Sequence, residues 1–305
     1  MPLPKHHGRA STDKLDMRDI AMFRKMELFA HKVVEGFISG QHKSPFKGFA
    51  IEFAEHRPYV QGDDLKHFDW KMLAKADRKY IKQYEEDTAL RGYLLVDASG
   101  SMGYKSGEHS KYDYAKFIAG VLAYMMIGQQ DSTGLITFTD KVETYLPPRT
   151  TTRHLKNMLD TLSETKTGAD TQLAEVMHQL ANRIRRRALV IIISDFFDEP
   201  EDLILALNHF AHKKHEVVLF QVLDRKEEDF PFRDLLQFED LEGTEHILTE
   251  PLRVKREYQR QFQAHERKLM KACHHQRIDF VKVYTDEPVE TQLAKYLTLR
   301  LRRSK

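Results

Sequence analysis

The sequence predicts an α/β fold with an open, doubly wound, mostly parallel sheet that is covered by helices on both faces. Short and almost continuously apolar strands recur, for example at 94–96 and 189–193. Amphipathic helical segments separate these strands, and this combination is typical of parallel sheets with two covered faces. Asp97 and Asp195 end two of the apolar runs, at the strand ends where such sheets bind ligands.

After residue 88 the predicted strands and helices alternate regularly. Hydrophobic periodicity and turn residues predict strands at 90–97, 133–139, 141–146, 188–195, 216–224 and 277–286. The same criteria predict helices at 112–129, 151–164, 171–186, 199–213 and 289–303. Residues 229–251 are predicted to form a hairpin that turns at Glu242-Gly243, and a long helix follows it.

The chain is predicted to divide into three parts. Residues 1–14 are polar and contain two prolines, so we expect a mobile tail. Residues 15–88 are predicted to form a small N-terminal segment, with a helix at about 15–38 followed by short strands and turns. Residues 89–305 form the predicted α/β domain, and an insertion at about 225–276 adds the hairpin and the long helix as a C-terminal extension.

The composition narrows the class of protein. The 305 residues are 41% hydrophobic and 31% charged, which is typical of a globular protein. The net charge of +2 gives no whole-protein field that would attract nucleic acid. A single cysteine, Cys273, excludes an internal disulfide and indicates a reducing compartment. No apolar stretch reaches the ~20 residues that a membrane span needs, so the expected location is the cytoplasm.

Oxygen-bearing side chains follow the first strand of the α/β domain at alternate positions. Asp97, Ser99 and Ser101 can present three oxygens from one tight loop. Hard divalent cations such as Mg²⁺ prefer oxygen ligands. Thr171, at the start of a predicted helix, and Asp195, at the end of a buried strand, would lie at the same edge of the sheet. Because only two of these ligands are carboxylates, the cation would still attract an anionic group from outside.

Each of these residues also has an ordinary structural explanation. Aspartate and serine after a strand are common in turns and helix caps. Thr171 alone could cap its helix, and Asp195 alone could belong to a turn. The joint placement of the three motifs at the carboxyl ends of predicted parallel strands nevertheless favours a metal site.

The same residues carry a family resemblance. The run VDASGSM, a threonine ahead of a helix and an aspartate that closes a later apolar strand resemble the metal-ion-dependent adhesion site of von Willebrand factor type A (VWA) domains. The upstream block at 44–87 resembles the conserved block of the bacterial family called domain of unknown function 58 (DUF58). That family joins such a block directly to a VWA-like domain, so the resemblance implies a VWA-like, or Rossmann-like, sheet.

The resemblance also implies a function without catalysis. It assigns Asp97, Ser99, Ser101, Thr171 and Asp195 as ligands of Mg²⁺, with Mn²⁺ or Ca²⁺ as alternatives. An Asp or Glu of a protein partner would complete the coordination. The implied role is an adaptor that works with a MoxR-type AAA+ ATPase in assembly, metal insertion or stress functions.

The sequence departs from the family pattern at two places. Where a second glycine usually precedes the threonine, the chain has Gly168-Ala169-Asp170, so Asp170 could add a charge or displace the loop. Thr167 is a rival to Thr171 as the ligand. The glycine that is common after the final aspartate is replaced by Phe196.

Two other functions remain open at this point. A haloacid-dehalogenase-like phosphohydrolase also begins with an aspartate at the end of its first strand, but its second aspartate is Ser99 here, which cannot act as a carboxylic acid. A nucleic-acid-binding scaffold could use the basic segments 183–187 and 299–305, although basic residues near helix C-termini are expected from the helix dipole alone.

The polar cluster of Asp63, Asp64, His67 and Asp69 could form a second metal or acid–base site, but turns and ion pairs explain such a cluster equally well.

Overall fold

The central feature of the fold is a six-stranded, mostly parallel sheet. A computed structural model describes residues 50–60, 68, 70, 72–73, 79–87, 90–168, 172–232, 236–239 and 246–303. The strands of the sheet are β3 (Arg91–Asp97), β4 (Ser132–Phe138), β5 (Val142–Arg149), β6 (Leu189–Ser194), β7 (Glu216–Leu223) and β10 (Asp279–Tyr284). Their order is β10, β7, β6, β3, β4, β5. All neighbouring pairs are parallel except β4 and β5.

The strand order reverses between β3 and β6. The chain builds β3, β4 and β5 outward on one side, then returns to place β6 on the other side of β3. This is the arrangement of a doubly wound sheet, and the crevice at the reversal is where such sheets bind ligands. The predicted fold class is therefore confirmed, and Asp97 and Asp195 both lie at the reversal.

Helices cover both faces of the sheet. They are α1 (Lys111–Gly128), α2 (Thr152–Glu164), α3 (Leu173–Arg183), α4 (Pro200–His212), α5 (Arg225–Asp229), α6 (Pro251–Gln276) and α7 (Val289–Arg303). Buried apolar residues of α1, α2 and α7 form one core with one face of the sheet. Those of α3, α4 and α6 form a second core with the other face. Within the described part of the chain, no helix is both long enough and apolar enough to cross a membrane.

Local sequence explains the elements that frame the crevice. Every residue of β6 is buried, as expected of a continuous apolar strand with helices on both sides. Ser110 begins α1 with a capping box: its hydroxyl accepts a hydrogen bond from the Asp113 amide, and the Asp113 carboxylate accepts from the Ser110 amide. The start of α1 is thereby fixed next to the carboxyl ends of the strands.

Two small antiparallel sheets lie outside the central one. β1 (Ala50–Pro58) pairs with β2 (Tyr80–Asp87), and β8 (Leu236–Glu239) pairs with β9 (His246–Thr249). The second pair agrees with the predicted hairpin, although its turn at Glu242-Gly243 lies outside the described residues. The predicted tail, the predicted helix at 15–38 and the polar cluster from Asp63 to His67 and Asp69 also lie outside them.

Candidate functional site

The loop after β3 gathers the first three predicted ligands. Asp97 ends the strand and is fully buried, and its Oδ1 accepts a hydrogen bond from the Ser99 amide at 2.9 Å. Ser99 is also fully buried, whereas Ser101 is only partly so. The hydroxyl oxygens of the two serines lie 3.1 Å apart. The alternation in the sequence therefore places a carboxylate and two hydroxyls in one compact loop.

The end of β6 brings the second aspartate to the same place. Ser194 donates a hydrogen bond from its hydroxyl to Oδ2 of Asp97 at 2.6 Å, which ties the ends of the two strands together. Asp195 follows directly and is only 3% exposed. The structure thus brings together the loops that carry four of the five predicted ligands: Asp97, Ser99, Ser101 and Asp195.

Phe196 adopts a backbone conformation that favours glycine. Its φ is +57°, in the left-handed region that bulky residues rarely occupy. Burial of the side chain and two hydrogen bonds maintain this strained conformation. The Phe196 amide donates to the Ser194 hydroxyl at 3.0 Å, and the Phe196 carbonyl oxygen lies 2.8 Å from Nε2 of His265. Phe196 therefore holds a backbone conformation that glycine adopts without strain.

Described residues before and after 169–171 each make a hydrogen bond to a neighbouring loop. Asp170 and Thr171 themselves lie outside the described residues. Before them, the Gly168 amide donates to the Ala98 carbonyl at 3.1 Å. After them, the Ala174 amide at the start of α3 donates to Oδ2 of Asp198 at 3.1 Å. The flanking residues thus contact the loops that follow β3 and β6.

Thr167, the predicted rival of Thr171, lies beside the loop after β3. A Cβ atom placed on Gly103 would lie 3.0 Å from the Thr167 hydroxyl. Thr167 is therefore close to the serine loop, and its side chain is partly exposed.

A lysine that the sequence analysis did not select enters the site from α1. The Lys111 ammonium donates to Oδ2 of Asp195 at 2.8 Å and to Oε1 of Glu227 at 2.6 Å. Its side chain is 0% exposed. Burial acts to lower the pKa of Lys111, but the charges of Asp195 and Glu227 outweigh burial, and the pKa is raised. The ammonium is therefore charged at neutral pH.

The family of the chain follows from its sequence as a whole. The sequence model of the family described as "Protein of unknown function DUF58" matches residues 55–268. The chain belongs to this DUF58 family. Uncharacterized proteins of Mycobacterium tuberculosis and Mycobacterium bovis are 29% identical to it over 219 residues, which is 71% of this chain and 68% of each relative.

Solved structures similar to this DUF58 protein share little sequence with it. BatB, a conserved hypothetical protein from Bacteroides thetaiotaomicron, is 18% identical with a TM-score of 0.47, covering 70% of this chain and all of BatB. An aerotolerance-related membrane protein from Bacteroides fragilis is 16% identical with a TM-score of 0.48 and the same coverage. The VWA domain of SpRpn10 is 11% identical with a TM-score of 0.44, covering 68% of this chain and 95% of that domain.

Two buried carboxylates dominate the electrostatics of the site in this DUF58 protein. Burial, and then the negative charge of Asp195, raises the pKa of Asp97 to about 7. Hydrogen bonds from Ser194 and Ser99 act in the opposite direction without cancelling that rise. Burial also raises the pKa of Glu227, although Lys111 opposes it. The site therefore holds buried carboxyl groups whose charged forms a nearby cation would stabilise.

The donor set fits a small, hard cation. Mg²⁺ holds oxygen ligands at about 2.1 Å in an octahedron, so neighbouring ligand oxygens lie about 3 Å apart. The two serine oxygens are separated by 3.1 Å. Among the described residues there is no group of three or more His, Cys, Asp or Glu side chains that could hold a metal. A cation here would therefore depend on hydroxyls as well as on Asp97 and Asp195.

Three residues of the candidate site were not predicted from sequence: Lys111, Ser194 and Glu227. A signal existed for Lys111, because a lysine directly before the helix predicted at 112–129 faces the positive end of the helix dipole. A second signal existed for Ser194, a hydroxyl residue that ends an otherwise apolar strand. Glu227 gave no comparable signal, since an acidic residue in the first turn of a helix is ordinary.

Proposed function

We propose that this chain is a non-enzymatic protein-binding module that holds a divalent cation at the strand-order reversal. The observation that carries the proposal is the convergence of two buried aspartates with two serine hydroxyls 3.1 Å apart. The side chains of Asp97, Ser99 and Ser101, with Asp195, would hold the cation, and Thr171 is proposed as a further ligand. Mg²⁺ is the first candidate, with Mn²⁺ or Ca²⁺ as alternatives.

The partner is proposed to supply an Asp or Glu carboxylate. Two carboxylates and neutral hydroxyls leave a bound divalent cation attractive to a further anionic ligand, which the cation would then share between the two proteins. An exposed apolar side chain lies beside this position: Phe197 is 42% exposed and its ring is 4.9 Å from the Lys111 ammonium. A partner could bury that ring while its carboxylate reaches the metal.

Membership of the DUF58 family supports one class of partner. We propose that the module is an adaptor for a MoxR-type AAA+ ATPase, in assembly, metal insertion or stress functions, and that it acts in the cytoplasm. This partner and this role are the ones that the family resemblance of the sequence implies.

The structure gives less support to a phosphohydrolase. Asp97, which would be the nucleophile of such an enzyme, is fully buried. The residue two positions on is Ser99, which cannot protonate a leaving group as a carboxylic acid would.

The proposal is tested by metal binding and partner capture with matched variants. We expect Asp97→Asn to weaken Mg²⁺ and Mn²⁺ binding at least about 100-fold, because it removes a buried negative charge next to the cation. Asp131→Asn, at a buried aspartate on the opposite edge of the sheet, is the control and keeps wild-type affinity. Titration calorimetry measures both.

Capture of the purified MoxR-type ATPase from the same genome provides the second readout. We expect capture by the wild type in Mg²⁺, and loss of capture in EDTA or with Asp97→Asn. Equal capture by the wild type in EDTA and in Mg²⁺ would contradict the metal-dependent function.

A further inference from the structure

Lys111 is a buried cation for which the proposed function has no role. Its ammonium has two carboxylate partners, Asp195 and Glu227, at 2.8 and 2.6 Å. Two aromatic rings, of Phe197 and Tyr104, lie 4.9 and 5.8 Å from the ammonium. A lysine is almost never fully buried unless it is paired, and Lys111, with a side chain that is 0% exposed, is paired with two carboxylates at the candidate site.

Lys111 is held in place by α1, by α5 and by the loop that precedes α1. It is the first residue of α1, where the helix dipole disfavours a cation. Glu227 holds it from α5, and the other oxygen of Glu227 accepts a hydrogen bond from the Asp224 amide at 3.0 Å. Asp224 in turn accepts hydrogen bonds from the amide and hydroxyl of Ser106, in the loop that precedes α1. These contacts leave the ammonium directed at Asp195.

We propose that Lys111 is a built-in counter-cation that limits the affinity of the site for divalent metal. This inference rests on the proposed function, because it concerns the same site. Lys111 engages one oxygen of Asp195, one of the two carboxylates available to a metal among the described ligands, and its fixed charge repels a second cation. A metal that binds next to this positive charge is held less tightly by the chain alone, so a partner's carboxylate adds more to its binding. Metal retention and partner binding thereby become coupled.

The test is a metal titration of Lys111→Met, which keeps the length of the side chain and removes its charge. We expect Mn²⁺ and Mg²⁺ to bind at least about tenfold more tightly than to the wild type, measured by calorimetry. Lys116→Met is the matched control: Lys116 lies on the same helix and pairs with Asp113, away from the site. The control is expected to keep wild-type metal affinity.

A second variant covers the case in which Lys111→Met fails to fold. Lys111→Met combined with Glu227→Gln removes one positive and one negative charge together, and it still frees Asp195 for the metal. We expect this double variant to bind Mn²⁺ more tightly than the wild type as well. Its melting temperature should also rise more on addition of Mn²⁺ than that of the wild type, since a ligand stabilises the state that it binds.

The outcomes separate the two proposals. Tighter binding by a folded Lys111 variant, with an unchanged Lys116→Met, supports the inference. Metal binding that needs Asp97 but does not increase in either Lys111 variant overturns the inference and leaves the proposed function standing. Absence of metal binding in the wild type and in both Lys111 variants overturns both proposals.

Discussion

The two edges of the central sheet each bury an aspartate, but they surround it differently. We call the edge where the parallel strands end, with Asp97 and Asp195, the carboxyl edge, and the edge where they begin, with Leu90 and Asp131, the amino edge. At the carboxyl edge Asp97 meets a second carboxylate, and hydroxyls and an ammonium lie close by. The pKa of Asp97 is raised to about 7 by burial and by that second charge.

At the amino edge the buried aspartate is held by a backbone amide, and no charged residue of the described part of the chain shifts its pKa. Oδ1 of Asp131 accepts a hydrogen bond from the Leu90 amide at 2.9 Å. Its other oxygen has no hydrogen-bond partner among the described residues. Burial raises the pKa of Asp131 to about 6, and the bond from Leu90 opposes that rise. Here the carboxylate connects the starts of two strands, and the described residues bring no second hydrogen-bonding group to it.

A buried acid with a raised pKa therefore does not by itself distinguish the proposed site. Both edges have such an acid, but only the carboxyl edge lies at the reversal of strand order, where loops from separate strands converge. Convergence adds Ser194, Asp195 and Lys111 around Asp97. The predictions below test whether the two edges differ as sharply in behaviour as they do in structure.

The largest expected effect on stability is a change in its pH dependence at the amino edge. The pKa of Asp131 is about 6 in the folded state and 3.8 ordinarily. Between these values the folded state binds more protons than the unfolded state, so the contribution of Asp131 to stability is lost as pH rises from about 4 to about 6. We expect Asp131→Asn to remove up to about 3 kcal/mol of this loss.

Urea unfolding at pH 4 and pH 8 measures this effect. The stability difference between the two pH values should be smaller in Asp131→Asn than in the wild type, and other titrating groups cancel in the comparison. Metal affinity should not change. An identical pH dependence in both proteins would show that burial at the amino edge does not shift this carboxyl.

The fold was predictable because its signals are local. Apolar runs and helical periodicity gave the strands and helices of the sheet domain, with boundaries within a few residues; the helix predicted to start at Thr171, for example, begins at Leu173. The same signals placed Asp97 and Asp195 at strand ends. Which strands are neighbours did not follow from them, since strand order depends on contacts distant in sequence.

The rest of the site was less predictable because its contacts are long-range. Lys111 bonds to a residue 84 positions away, and Ser194 to one 97 positions away. Nothing in the sequence around either residue specifies such a partner. Sequence reasoning therefore found the groups that lie at strand ends and missed those that approach from a helix or precede the expected ligand.

A smaller effect on stability is expected from the hydroxyl that joins β3 and β6. Ser194→Ala removes the 2.6 Å hydrogen bond to Asp97 and the bond from the Phe196 amide. Because both partners are buried, we expect a loss of about 1–3 kcal/mol in the free energy of unfolding. Thermal or urea unfolding measures it.

Thr137→Val is the matched control for this change. The Thr137 hydroxyl is buried in β4 and has no hydrogen-bond partner in the described part of the chain. Its removal should be neutral or stabilising, since an unpaired buried hydroxyl is unfavourable. Equal losses in Ser194→Ala and Thr137→Val would indicate that the carboxyl edge gains nothing from the Ser194 bond.

The smallest effect on stability, and a sharper test of the carboxyl edge, is expected at Gly103. A Cβ atom there would lie 3.0 Å from the Thr167 hydroxyl, so that hydroxyl must move away by a few tenths of an ångström. We expect Gly103→Ala to cost less than about 1 kcal/mol in stability but to weaken Mn²⁺ binding about threefold to tenfold, because ligands must be held within about 0.5 Å.

Gly107→Ala, in the same loop with open space around it, should change neither quantity. If both variants bind Mn²⁺ like the wild type, the approach of Thr167 to the serine loop does not contribute to the site.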